Sequence, residues 1–193
     1  METPMKNTNI KDLKDEELVR LFQHDPLSVY FEVLYKRYLN KVTDKCYSLV
    51  KNHELAEELA EDVFSKVFEK LPGFKGLSSF SSWLYSITYN HCIDFLRKKK
   101  KMHYPEWNKN HEIPEIIDES TELVNEIDFD HFLKVLEMIH PEEKALILMK
   151  YQDNLSMKQI AASLRISEDA TKMRLKRARA RIIYIYKTNF FDD

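Results

Sequence analysis

The stretch Ser156–Ile182, SMKQIAASLRISEDATKMRLKRARARI, decides how the chain is read. Ser156 and Gln159 stand at the S-x-x-Q spacing of a capping box, in which each side chain satisfies the other residue's free backbone N–H. Leu155 and Ile160 flank that start as a hydrophobic staple. Ile160, Ala161 and Leu164 give the helix one apolar face. Arg165-Ile166 forms a tight turn, and Ser167 opens a second helix. Glu168 and Asp169 lie in its first turn, where the helix dipole favours negative charge. Thr171, Leu175, Ala178 and Ile182 share an inward face, while Lys172, Lys176, Arg177 and Arg179 project elsewhere. Helix, short turn, basic helix is the helix-turn-helix pattern, whose second helix enters the major groove of duplex DNA. A plain helical hairpin with a charged face is the simpler alternative.

Upstream, the same 3.6-residue periodicity recurs. A helix is expected over Lys11–Gln23, with Leu13, Leu18, Leu21 and Phe22 inward. Asp25-Pro26 reads as N-cap and first helical residue of a long helix. Its face is Leu27, Phe31, Leu34, Tyr38, Val42, Cys46 and Leu49. Asn52 caps a third helix running to about Leu71. Leu55, Leu59, Val63, Phe64, Val67 and Phe68 form its apolar stripe; Glu54, Glu57, Glu58, Glu61 and Asp62 form the opposite face. Pro72-Gly73 ends it. A loop then leads into a helix from about Ser79, with Trp83, Leu84, Ile87, Ile93, Phe95 and Leu96 available for packing. From Met102 to about Ile127 periodicity is lost, and Pro105 and Pro114 break any helix. Nine acids between Glu106 and Asp130 face Lys109 alone, a local charge of −8. That is the composition of a flexible acidic linker. A further helical unit begins near Asp128, with Phe132, Leu133, Val135, Leu136 and Ile139 inward, and Pro141 starts the next helix, carrying Ala145, Leu146, Leu148 and Met149.

The fold class expected is therefore all-α: a helical domain over 1–101, a linker over 102–127 and a helix-turn-helix domain over 128–193. Two glycines among 193 residues suit helices better than hairpins. No run of eighteen apolar residues occurs, so no membrane insertion is expected. Cys46 and Cys92 sit at apolar helical positions and read as buried thiols.

Net charge is only −2, yet it hides two basic segments. Lys172–Arg181 holds six cations and no acid. Phe74–Lys101, FKGLSSFSSWLYSITYNHCIDFLRKKKK, joins a Gly- and Ser-containing loop to a helix rich in aromatics and ends in five consecutive cations. Aromatic faces, hydroxyls and cations together suit an unpaired base and its phosphates. A core helix with a solvated basic end is the plain alternative. Enzymatic chemistry finds little support. There is no Gly-rich phosphate loop, and the adjacent His91 and Cys92 diverge on a helix and make no compact metal site. No cofactor and no metal are expected.

In this context the chain resembles the sigma-70 family of bacterial transcription initiation factors, and within it the small extracytoplasmic-function (ECF) group. Asp25–Lys101 is similar to the family's region 2, carried by FEVLYKRYLNKV, ELAEELAEDVFSKVFEKLPGF and above all W-L-Y-x-I-x-x-N at Trp83–Asn90. Leu136–Ile182 is similar to region 4. The resemblance implies a non-enzymatic, cytoplasmic protein that binds core RNA polymerase, through the β′ clamp helices and the β flap, and directs it to promoter DNA. It places Glu58, Glu61 and Asp62 at the polymerase contact. It places Lys75, Ser78, Ser79, Asn90, Arg97 and Lys98 at the melted −10 element, and Lys172, Met173, Lys176, Arg177 and Arg179 at the −35 duplex. An anti-sigma factor is a further candidate partner. The acidic linker is expected to lie against basic polymerase channels. A helix-turn-helix regulator that never joins polymerase remains the alternative; it would leave the acidic face and the aromatic-basic stretch without roles.

Overall fold

The computed structural model describes residues 9–99 and 127–190. The linker acids between Glu106 and Glu126, and Lys100 and Lys101, lie outside the described residues. Helices and turns make up the described residues, with no strand among them. The chain divides into two compact units, Met1–His91 and Cys92–Asp193, the division falling inside one helix.

In the first unit, α1 (Asp15–His24), α2 (Ser28–Val50) and α3 (His53–Lys70) precede α4 (Phe80–Lys99). α1 begins four residues later than expected, because Lys11 belongs to a separate 3-10 turn. The Lys14 N–H donates to Glu17 and starts α1. Asp25 does not cap α2; it closes α1, its N–H reaching the Leu21 carbonyl. Leu27, in extended backbone, precedes the first residue of α2, Ser28, so the Pro26 ring sits before the helix rather than in its first turn. Asn52 caps α3 as expected, accepting from the Leu55 N–H at 2.8 Å.

The core of this unit holds Leu18, Val19, Phe22, Leu34, Val42, Cys46, Leu59, Val63, Val67, Phe80, Leu84 and Tyr89. Val19, Phe80 and Tyr89 join it unannounced, whereas Leu21, Leu27 and Phe68 are exposed rather than inward. Phe68 still serves the core through edge contacts with Phe22 and Phe31, centroids 5.4 and 5.0 Å away. The Arg37 guanidinium ties the N-terminal turn down, donating to Asp15 and to the Lys11 and Leu13 carbonyls. Both cysteines are buried thiols.

In the second unit, α5 (Phe129–Met138), α6 (Pro141–Ile147), a π-turn (Leu148–Gln152), α7 (Met157–Leu164) and α8 (Glu168–Phe190) follow in order. Asp128 caps α5 and His140 caps α6, where its Nδ1 accepts the Glu142 N–H at 3.1 Å. The core is Val135, Leu136, Ala145, Leu146, Ile147, Met149, Leu155, Ile160, Leu164, Leu175, Ala178 and Ile182. Leu133, expected inward, is exposed.

Candidate nucleic-acid interface

The turn between α7 and α8 follows its sequence grammar closely. Ser156 and Gln159 exchange both capping-box hydrogen bonds, and Leu155 and Ile160 are fully buried beside them. At the far end of α7, Arg165 adopts a left-handed conformation, φ 56°. The Ile166 N–H then reaches the Ala161 carbonyl at 3.1 Å and the Arg165 N–H the Ala162 carbonyl at 3.4 Å, closing a Schellman turn without glycine. Ser167 caps α8 through the Ala170 N–H. Thr171, Leu175, Ala178 and Ile182 are all buried, so the apolar seam of α8 faces the core of its unit.

That orientation sorts the cations. Lys172, Met173, Lys176 and Arg177 are exposed, and Arg179 is half-buried, 3.5 Å from the Tyr151 hydroxyl. Arg174 and Arg181 turn inward onto carboxylates: Arg174 donates to Glu142 at 2.9 Å, and the Arg181 Nε lies 3.1 and 3.0 Å from the two oxygens of Glu143. Glu142 and Glu143 are buried, and neither signalled a role in the sequence.

The loop before α4 is built from both ends. Gln23 reaches across from α1, and its side-chain amide donates to the Leu71 and Phe74 carbonyls at 3.0 and 2.8 Å. On the other side the Phe74 ring packs on Trp83, centroids 4.8 Å apart, and Trp83 lies 6.1 Å from buried Phe80. Trp83 is thus the half-buried brace of the loop. Ser79 caps α4: its hydroxyl oxygen accepts the Ser82 N–H and its O–H donates to the Ser82 hydroxyl. Between these anchors Gly76 turns at φ 65°, Lys75 and Ser79 are exposed, Ser78 is half-buried, and Leu77 stands almost wholly in solvent at 90% exposure. A large apolar side chain held out on a braced loop can contact a planar apolar partner. About three helical turns along α4 from its Ser79 cap, Asn90 is half-buried. Within the second unit's bounds, Lys98 is exposed, while Arg97 donates Nε and Nη2 to Glu142, both at 2.9 Å, and lies 3.9 Å from Asp94. The Glu142 carboxylate beside it holds the Arg97 guanidinium more firmly in its charged form.

The acidic face of α3 opens onto a groove of about 530 Å³ shared with α2, lined by Leu39, Asn40, Thr43 and the carboxylates of Asp44, Glu54, Glu57, Glu58 and Glu61. Glu61 accepts from the Tyr35 hydroxyl at 2.7 Å; that hydrogen bond raises the Tyr35 pKa. Asp62 leaves this group. It lies 3.3 Å from His91 Nε2, while His91 Nδ1 meets the Lys66 ammonium. Glu58 and Glu61 are therefore brought together, and Asp62 faces α4.

A helix-turn-helix with an exposed basic face, in a chain that also carries a braced loop and an acidic groove, defines a DNA-binding class of protein. The models of Sigma-70 region 2 and Sigma-70 region 4 match residues 34–102 and 130–182. The ECF RNA polymerase sigma factor SigW of Bacillus subtilis (strain 168) is 30% identical over 157 residues, covering 74% of this chain and 81% of SigW. The RNA polymerase sigma factor YlaC of the same organism is 28% identical over 151 residues, covering 77% and 87%. Two solved structures share the fold. CnrH, in complex with the cytosolic domain of CnrY, has a TM-score of 0.59 at 18% identity, over 91% of this chain and 98% of that one. RpoE of Bartonella quintana, crystallised with the anti-sigma factor NepR, has a TM-score of 0.56 at 23% identity, over 82% and 98%. The chain belongs to the sigma-70 family, in its extracytoplasmic-function group. It is accordingly a DNA-binding transcription initiation factor and not an enzyme. Among the described residues no helix is long and apolar enough to cross a membrane.

Proposed function

We propose that the chain binds core RNA polymerase in the cytoplasm and directs it to promoters through two DNA contacts. The observation that carries this reading is that regions 2 and 4 match one chain, in order. The region 2 domain is taken to extend to residue 101 and the region 4 domain to begin at 128. α8 reads the −35 duplex with Lys172, Met173, Lys176, Arg177 and Arg179, phosphate contacts setting its position and base edges its specificity. The braced loop, with Lys75, Ser78 and Ser79, and Asn90 hold a base of the −10 element once the duplex opens. Lys98 faces its phosphates, and Arg97, which also holds Glu142, stands beside it. Unstacking a base costs a few kcal/mol, which a fitted pocket offsets. Leu77 supports this role: its exposure leaves about a full leucine side chain of apolar surface available to a base.

Glu58 and Glu61 present paired charge to a basic helix of the polymerase, such as the β′ clamp, and Asp62 reaches the same partner from the neighbouring edge. Region 4 takes the β flap. An anti-sigma factor that covers either face would silence the chain, as the complexes of the fold neighbours suggest by analogy. The test is co-migration with purified core polymerase in size-exclusion chromatography. Wild-type chain is expected to co-migrate, and Glu58→Lys/Glu61→Lys to elute free. Free elution of both would end this reading.

A further inference from the structure

We propose that Glu142 and Glu143, at the start of α6, are positioning residues for the DNA-facing helix. They divide the six cations of Lys172–Arg181 into a set that meets DNA and a pair that orients the helix. The inference rests on the −35 role of α8 proposed above.

At about 100° per residue, Lys172, Lys176 and Arg179 fall within about 60° of one another around α8, with Met173 and Arg177 continuing that arc. Arg174 and Arg181, seven residues apart, lie two turns from each other along one edge of the buried seam. Their side chains are 18% and 7% exposed, and the Glu142 and Glu143 carboxylates they meet are 3% and 0% exposed. A charge that far from water is held by its partner, and a carboxylate accepts a guanidinium only along restricted directions. Two such pairs, spaced along the helix, resist rotation of α8 about its axis. An apolar seam alone resists it less, because apolar contact is not directional. Both carboxylates sit on consecutive residues immediately after Pro141, whose ring fixes the backbone there. Pro141–Lys144 thus acts as a fixed bracket. Lys144 is itself tied back to Glu137 on α5 at 2.7 Å. Glu142 also holds Arg97, so Glu143, which meets Arg181, is the carboxylate substituted.

The experiment uses the full chain and a mixed-sequence 30-base-pair duplex, with affinity measured against salt concentration. Glu143→Gln keeps the side-chain volume and removes one negative charge. Electrostatics alone would then tighten duplex binding. The positioning role predicts the reverse: at least threefold weaker binding at every salt concentration, with an unchanged far-UV circular dichroism spectrum. Unchanged or tighter binding by the folded variant overturns the proposal. Arg174→Gln supplies the second arm, and its log K against log salt is expected to keep the wild-type slope. A slope shallower by about 0.9 would make Arg174 a phosphate contact and overturn the division. Lys172→Ala and Lys176→Ala are each expected to lose about 0.9 of slope. If they do not, the −35 reading fails, separately from the bracket.

Discussion

His140 makes the stability of the second unit depend on pH, and the effect can be calculated. The ring is 2% exposed and its Nδ1 accepts the Glu142 N–H as the cap of α6. Burial pushes its pKa down from 6.5 to about 4; Glu142 opposes the shift, while Arg181, Arg174 and Arg97 reinforce it. The folded state therefore binds this proton less readily than the unfolded chain does. For such a group stability is fully present above the unfolded pKa and is lost as pH falls from 6.5 towards 4. With those two values the loss between pH 8 and pH 5 is about 2 kcal/mol. Protonation at Nδ1 also removes the acceptor for the Glu142 N–H, so structure and titration agree in direction. The perturbation is His140→Asn, which keeps a capping side chain and abolishes the titration. Urea unfolding followed by circular dichroism at pH 8 and pH 5 measures the change. Wild type should lose about 2 kcal/mol more than the variant over that interval. Equal losses in the two proteins would refute the assignment of a neutral, depressed His140.

Three further outcomes are expected. Asn90→Ala should weaken promoter opening, measured by permanganate reactivity of unpaired thymines, while leaving duplex binding by the C-terminal unit intact; equal loss of both would remove Asn90 from base capture. Lys51 ends α2 in a left-handed conformation, φ 55°. Lys51→Gly should therefore stabilise the chain by about 0.5 kcal/mol in thermal unfolding, because glycine adopts that conformation without a Cβ penalty. Asn52→Ala should cost about 1 kcal/mol in the same assay, through loss of the α3 cap to Leu55.

Local grammar made much of the fold legible. Capping residues Asn52, Ser156 and Ser167, and the seam Thr171, Leu175, Ala178 and Ile182, depend on neighbours within one or two turns, and all take their expected places. The start of α2 misled because Asp-Pro fits a helix entrance as well as it fits the extended backbone that precedes one. The bracket of α6 was hidden for a different reason. Glu142 and Glu143 read as ordinary acids of a helix first turn, and their partners Arg174 and Arg181 lie 32 and 38 residues away. Those arginines in turn looked like members of a DNA-facing run. Gln23 was silent too, since the carbonyls it holds are 48 to 51 residues distant. Long-range polar pairing leaves no periodic trace, unlike apolar burial. At the candidate interface, residue type alone picked out the loop and α8 as candidates. The separation of Asp62 from Glu58 and Glu61, and the exposure of Leu77, required the fold.

The central claim is that this chain turns a nonspecific polymerase into a promoter-specific one. The direct measurement is run-off transcription with purified core RNA polymerase on a library of genomic promoter fragments, with and without the chain. The account predicts discrete transcripts that require the chain and are lost with Lys172→Ala/Lys176→Ala. A core enzyme whose transcripts are the same with and without the chain would contradict it.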